Sequence, residues 1–207
     1  RYPTTLVGFA IVLFFMLMAL LGPQLAPYGY SDQILKDRLQ GPSARHLFGT
    51  DRFGRDVFSR VIVGSRDVFV VAGSATLLAA FLGLAVGLFS SYWGGIVDEM
   101  AMRLVDVMLA IPPLLLAMIV LFTLGPSRIN VILVVGFLYV PIVSRVVRSM
   151  VLDLKTRQYV EAAKMRGENS AYIMFREILP GVLPPLAVEA SMRFAYAIFL
   201  VASLGFL

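Results

Sequence analysis

Cysteine is absent from the 207 residues and histidine occurs once, at His46. The first absence excludes a disulfide framework and any cysteine metal site, and leaves the redox compartment unread; the second excludes a histidine cluster. Charge is scarce too, at 15% of residues against 59% hydrophobic, and mean hydropathy is strongly positive. A soluble domain has no use for so much apolar surface, and the excess falls in blocks of membrane-spanning length. The formal net charge is +5, but no aromatic-basic surface module accompanies it. Basic residues at the ends of spans meet lipid headgroups, so no nucleic-acid partner is expected. A G-x-x-x-x-G-K-[ST] phosphate loop is absent, as is any Ser-His-Asp constellation or metal-ligand spacing, so the chain reads as no enzyme.

Five apolar blocks are present, at about 5–22, 68–92, 100–124, 129–147 and 183–207. They describe an all-α, polytopic membrane protein with five visible transmembrane helices. Pro23 closes the first block, and no small-residue cleavage pattern follows it, which favours a span over a signal peptide. Arg1 is not an initiator methionine and the chain stops inside an apolar run, so further residues are expected at both ends.

Within the second block Ala75, Ala79, Gly83 and Gly87 recur every four residues, a stripe that lets another helix approach closely. Packing inside the chain is the simpler reading; a subunit interface is the other. Arg103 and Asp106, at i and i+3, and Glu189 and Arg193, at i and i+4, can each neutralise one another on one helix face. They read as intramembrane ion pairs, with a place in a translocation pathway as the alternative. Pro112 and Pro113 should kink the third span, and Pro141 should interrupt the fourth. Topology is unreadable from charge, since one face collects eight basic residues and the other nine.

Residues 23–65 form a polar segment rich in turn formers. Its end, "HLFGTDRFGRDVFSRVIVGSR", reads as an amphipathic surface helix capped by Thr50 or Asp51, with an Asp56–Arg60 pair and an apolar face that includes Phe53 and Phe58. Residues 150–182 hold a second polar stretch. Helix is expected from Thr156 to Arg166, with Gly167 as its stop, Asn169 or Ser170 as the next cap, and a second helix ended by Pro180. Tyr159, Ala162, Ala163, Met165, Tyr172, Ile173, Phe175 and Ile178 give this loop more apolar surface than solvent tolerates, so it needs a partner or must fold back on its own spans.

Glu161-Ala162-Ala163, then Gly167, then Leu179-Pro180 resembles the EAA loop of ABC importer permeases, except that Glu177 stands where the pattern has isoleucine and Ile178 comes one place later. "GTDRFGRDVFSR" and "MRLVDVMLAIPPLLLA" are similar to the C-type permease of dipeptide, oligopeptide and nickel importers. The resemblance implies a type I importer permease over 1–207, in a prokaryotic inner membrane, with six spans, the last lying after Leu207. It implies a homologous second permease subunit, two ATP-binding-cassette ATPase subunits and an extracytoplasmic solute-binding protein as partners. ATP and Mg would be held by those ATPases, with no cofactor on this chain. Residues 150–182 become a cytoplasmic coupling loop and 23–65 an extracytoplasmic one. Glu161, Ala162, Ala163, Gly167, Leu179 and Pro180 become the coupling residues, with alanine keeping the approach close and glycine supplying the elbow. The rival is an ion-coupled secondary transporter with Asp106 or Glu189 as its proton site; it has no ATPase for such a loop to dock. A membrane-embedded enzyme would need a polar cluster at one depth, and these residues do not assemble one.

Overall fold

A computed structural model describes residues 3–206. Among them the architecture is all-α, with no strand beyond an isolated bridge between Thr50 and Asp56. Leu6–Leu25, Val57–Trp93, Arg128–Leu154 and Ser170–Gly205 are long and apolar enough to cross a membrane; Gly95–Ala110 with Pro113–Leu124, bent by 84°, makes a fifth if the pair is one span. Where the sequence reads as a single membrane domain, contacts cluster into two compact units, Arg1–Val70 and Val71–Leu207.

In the first unit, α1 (Pro3–Leu25) is exposed along most of its length, as a helix bathed in lipid should be. It continues two residues past Pro23 rather than closing there. Gly22 is a point of close approach: a Cβ there would stand 2.7 Å from the backbone oxygen of Ile62. A loop with a 3₁₀ turn at Leu35–Asp37 leads to α2 (Val57–Trp93). No separate surface helix precedes α2. Residues 50–56 are tied up in a turn around Asp51, which accepts from the amides of Phe53 and Arg55, so the helix starts only after Asp56. From there α2 is continuous for 37 residues, longer than the roughly 20 a bilayer core requires.

In the second unit, α3 (Gly95–Ala110) and α4 (Pro113–Leu124) are separated by an extended Ile111 and by Pro112. A residue before proline is pushed out of the helical region, and Pro113 at the first helical position has no orphan N–H to lose; hence the break expected at this pair. Gly125, at φ 84°, ends α4, and the Ser127 hydroxyl caps α5 (Arg128–Leu154) by accepting from Asn130 N–H at 3.2 Å. Pro141 does not interrupt α5. It sits buried in a helix whose Val134, Val135, Val143, Val147 and Val151 are also buried, and packing on both sides of the proline outweighs one missing hydrogen bond. The small-residue stripe of α2 packs within the chain. Ala75 and Ala79 lie against Val135 and Tyr139, and a Cβ on Gly83 or Gly87 would come within 2.7 Å of Val143, Ser144 or Val147.

Helix α6 (Gln158–Met165) leads through Gly167 to a single turn, α7 (Ser170–Tyr172), a π-helical segment Ile173–Ile178, and α8 (Leu179–Phe206). Pro180 ends nothing: α7, the π segment and α8 form one run from Ser170 to Gly205. Leu179 N–H already reaches back five residues to the Met174 carbonyl. That wider register before Pro180 is the kind of local adjustment that lets a membrane helix accept proline.

Candidate functional site

Arg157 opens α6, with Val160 and Ala163 on its inner face, packed into a cluster with Val147, Val151, Ile173 and Ile178. Gly167 supplies the elbow. At φ 79° it takes the left-handed conformation, its N–H donates to the Lys164 carbonyl at 3.0 Å, and Glu168 N–H reaches the Ala163 carbonyl at 3.2 Å. These are the two bonds of a Schellman stop. Asn169 then caps the next helix, its Oδ1 accepting from Tyr172 N–H at 2.7 Å.

Glu161 is exposed and Ala162 half-buried, while Met165 is 84% exposed. Ala163 is fully buried against its own chain, a correction to its expected place in the contact with a partner; its small side chain instead lets α6 lie close on the spans. Ile173 and Ile178 are buried as well, so the outward apolar surface is smaller than expected and consists of Tyr159, Met165, Tyr172 and Phe175. Leu179 is half-buried and Pro180 exposed. Glu177 finds its explanation here. Ile178 is the residue that fills the core, and Glu177, turned aside, lies 3.6 Å from the Arg166 guanidinium, which also approaches Glu168 at 3.7 Å. A π turn holds one residue more than an α turn, which suits an isoleucine placed one position late.

The intramembrane charges pair differently from expectation. Arg103 binds Glu99, one turn earlier, at 2.5 Å, and Asp106 instead accepts from Arg145 of α5. On a helix i+4 is as close as i+3, and a partner on α5 competes with both. Arg148 grips Asp98 with two nitrogens, Nε at 2.9 Å and NH2 at 2.6 Å, and Lys155 Nζ donates to the Ser91 carbonyl at 2.8 Å. These contacts bind α3 and the end of α2 to α5, across sequence separations in which no motif could reveal them. Glu189 and Arg193 do pair, 2.8 Å apart, and the guanidinium lies over the rings of Tyr139 and Tyr196. Both carboxylates of the rival proton-site reading are therefore engaged by arginine. Among the described residues no group of three metal-ligating side chains is placed to hold an ion.

The first unit contains a polar cluster that the sequence did not announce. His46 is fully buried, with Nδ1 2.9 Å from Asp56 and Nε2 3.4 Å from Asp37, and the Tyr28 ring lies 5.0 Å away. Asp56 caps α2 by accepting from Ser59 N–H at 2.7 Å, so it is not the partner of Arg60, which goes to Asp51 at 3.2 Å. Burial works against charge on Asp56, but hydrogen bonds from the Ser59 N–H, the Ser59 hydroxyl and His46 outweigh it and hold the carboxyl below its ordinary value.

Apolar spans, a polar helix pair at the end of one of them and ion pairs locking helix to helix define a polytopic membrane protein. Residues 70–207 match the family described as binding-protein-dependent transport system inner membrane component, and residues 1–42 match the N-terminal TM domain of oligopeptide transport permease C. The chain belongs to that inner membrane component family and is a multi-pass protein of a bacterial inner membrane. It is 41% identical to the dipeptide transport system permease protein DppC of Alkalihalophilus pseudofirmus, over 98% of this chain and 66% of that protein. It is 38% identical to the probable D,D-dipeptide transport system permease protein DdpC of Escherichia coli, over 99% of this chain and 69% of that protein. Against the glutathione transport system permease protein GsiD of Pectobacterium atrosepticum it is 37% identical, over 95% and 65%. The chain thus spans about two thirds of the length of the curated relatives it matches.

Proposed function

We propose that the chain is the C-type permease subunit of an ATP-binding-cassette importer, forming half of a translocation pathway for short peptides. The observation that carries this reading is the helix pair around Gly167. One face of α6 is sealed to the spans through Val160 and Ala163, and the opposite face presents Glu161, Tyr159 and Met165 to a partner. A rigid element anchored in this way can pass a push from an ATPase to the spans as a body. Glu161 and Ala162 are the contact, Ala163, Leu179 and Pro180 hold the element in place, and Gly167 sets its angle. Residues 150–182 then face the cytoplasm and residues 23–65 the outside. Two ATPase subunits bind ATP and Mg, a homologous permease completes the pathway, and an extracytoplasmic solute-binding protein delivers substrate; this chain performs no catalysis and holds no cofactor. The relatives' names, dipeptide, D,D-dipeptide, di/tripeptide and glutathione transport, support a peptide of a few residues as cargo.

Gly167→Pro tests the reading, because proline cannot take φ 79° and removes the N–H that bonds to Lys164. The variant is expected to lose the ATPase subunits on purification and to lose ATP-coupled peptide uptake. Intact coupled uptake would overturn the assignment, and uptake driven by a proton gradient without ATP would restore the secondary transporter.

A further inference from the structure

Phe175 is one of the outward residues of the polar helix pair, and its ring reaches α2. It packs edge-on against Phe89 of α2, with centroids 6.2 Å apart, and Phe89 stacks in turn on Trp93 at 5.6 Å. Phe89 and Trp93 occupy the last turn of α2, with Tyr92 beside them. Farther along the same helix Leu77 and Phe81 are 72% and 71% exposed, apolar side chains on a membrane-spanning helix that only lipid tails would welcome. An exposed apolar row therefore runs along α2 and ends in a tryptophan, a side chain that settles at the headgroup level because it carries an apolar body and a polar edge. Trp93 is 59% exposed and Phe175 50%. Arg176, next to Phe175, is exposed.

From this continuity we infer that the segment Ile173–Ile178 rests on the phospholipid interface through Phe175, with Trp93 and Phe89 as its platform, and that the ATPase does not cover this edge. A soluble domain reaching Phe89 would have to enter the headgroup layer, whereas lipid tails suit the exposed apolar row from Leu77 to Trp93. The helix pair then has two working surfaces: Glu161 and Met165 toward a protein partner, Phe175 and Trp93 toward the bilayer. Only the mechanical consequence, that lipid steadies the element the ATPase pushes, rests on the coupling assignment.

The chain has no cysteine and a single tryptophan, so single reporter cysteines at Phe175→Cys, Trp93→Cys and Met165→Cys can carry an environment-sensitive fluorophore in the full transporter, with its other subunits cysteine-free, in phospholipid nanodiscs. Labels at 175 and 93 are expected to emit at shorter wavelength, to lose emission to a lipid carrying a shallow nitroxide, and to stay unchanged when the ATPase subunits are stripped off. With the ATPase subunits stripped off, the label at 165 is expected to respond to aqueous iodide and not to the nitroxide lipid. Iodide quenching at 175 and 93 equal to that at 165 would overturn the proposal. So would protection of 175 from both quenchers, which would make a protein, either the ATPase or the second permease, its occupant. The lipid readout is complete without ATP, so the coupling assignment can fail while this inference stands, and the reverse.

Discussion

Gly87→Ala should separate α2 from α5. A Cβ on Gly87 would lie 2.7 Å from the Ser144 carbonyl oxygen and 2.7 Å from Val147 Cβ, where ordinary contact is about 3.5–4.0 Å. Neither neighbour is the free end of a flexible side chain. One is backbone and the other a β-branched stem inside a buried cluster, so the helices must part by about 1 Å. Overpacking of this kind costs about 1–3 kcal/mol. Alanine also recovers about 1 kcal/mol of helix propensity, which leaves a net loss of about 0–2 kcal/mol. Gly64→Ala, on the same helix, is the control, since its Cβ would meet nothing within 4 Å and it should show the propensity gain alone. Heating each detergent-solubilised variant and measuring the monodisperse fraction by size-exclusion chromatography gives an apparent melting midpoint. With about 2–4 °C per kcal/mol for a chain of this size, Gly87→Ala should melt several degrees below Gly64→Ala. Equal midpoints, or a higher one for Gly87→Ala, would refute the close approach on which the second unit is built.

His46→Ala removes the buried ring that joins the carboxylates of Asp37 and Asp56, leaving Asp37 to Gln40 and Arg45 and Asp56 to Ser59, at a cost of about 1–3 kcal/mol; faster exchange of the Leu39, Thr50 and Asp51 amides would report it, and adding Asp37→Asn and Asp56→Asn should restore protection. Asp51 and Asp56 are both held below the ordinary carboxylate value: for each, burial favours the neutral form but is outweighed, in Asp51 by the amides of Arg55 and Phe53 and the Arg55 side chain, in Asp56 by Ser59 and His46. Their contribution is therefore complete above the unfolded value of about 3.9 and is lost as pH falls through the lower folded values. A label on Leu47→Cys should keep its anisotropy down to about pH 4 and lose it below, whereas a loss already complete at pH 6 would contradict the assignment. Arg148→Leu strands Asp98, which Arg148 grips through two nitrogens, and should lower the melting midpoint more than the exposed-pair variant Arg157→Leu; adding Asp98→Asn should recover most of the difference.

Much of this architecture was legible in linear sequence because its causes are local. Apolar length marks the spans, paired prolines break α3 from α4, and a glycine followed by asparagine stops one helix and caps the next. Proline misled at Pro23, at Pro141, where packing offsets one lost hydrogen bond, and at Pro180, where the π register before it lets the helix run on. The polar start of α2 was misread for a related reason: residues 50–56 carry helix-like spacing, but the carboxylate of Asp51 pulls them into a turn.

Charge pairing was the least legible feature. A carboxylate binds whichever guanidinium folding brings nearest, so Asp106 goes to Arg145, 39 residues away, passing over Arg103 three residues before it, and Asp98 goes to Arg148, 50 residues away. His46, a lone histidine that could form no histidine cluster, is the buried hub of its loop, because Asp37 and Asp56 reach it only once the loop closes. Which alanine of the EAA motif turns inward, and why Ile178 can stand one place late behind Glu177, depends on how α6 and the π turn seat against α5. Composition and spacing thus set the class of protein and its helix punctuation, since these depend on nearest neighbours along the chain. The pairing of charges, the inward face of the helix pair and the aromatic link from Phe175 to α2 came from packing, which joins residues that sequence keeps far apart.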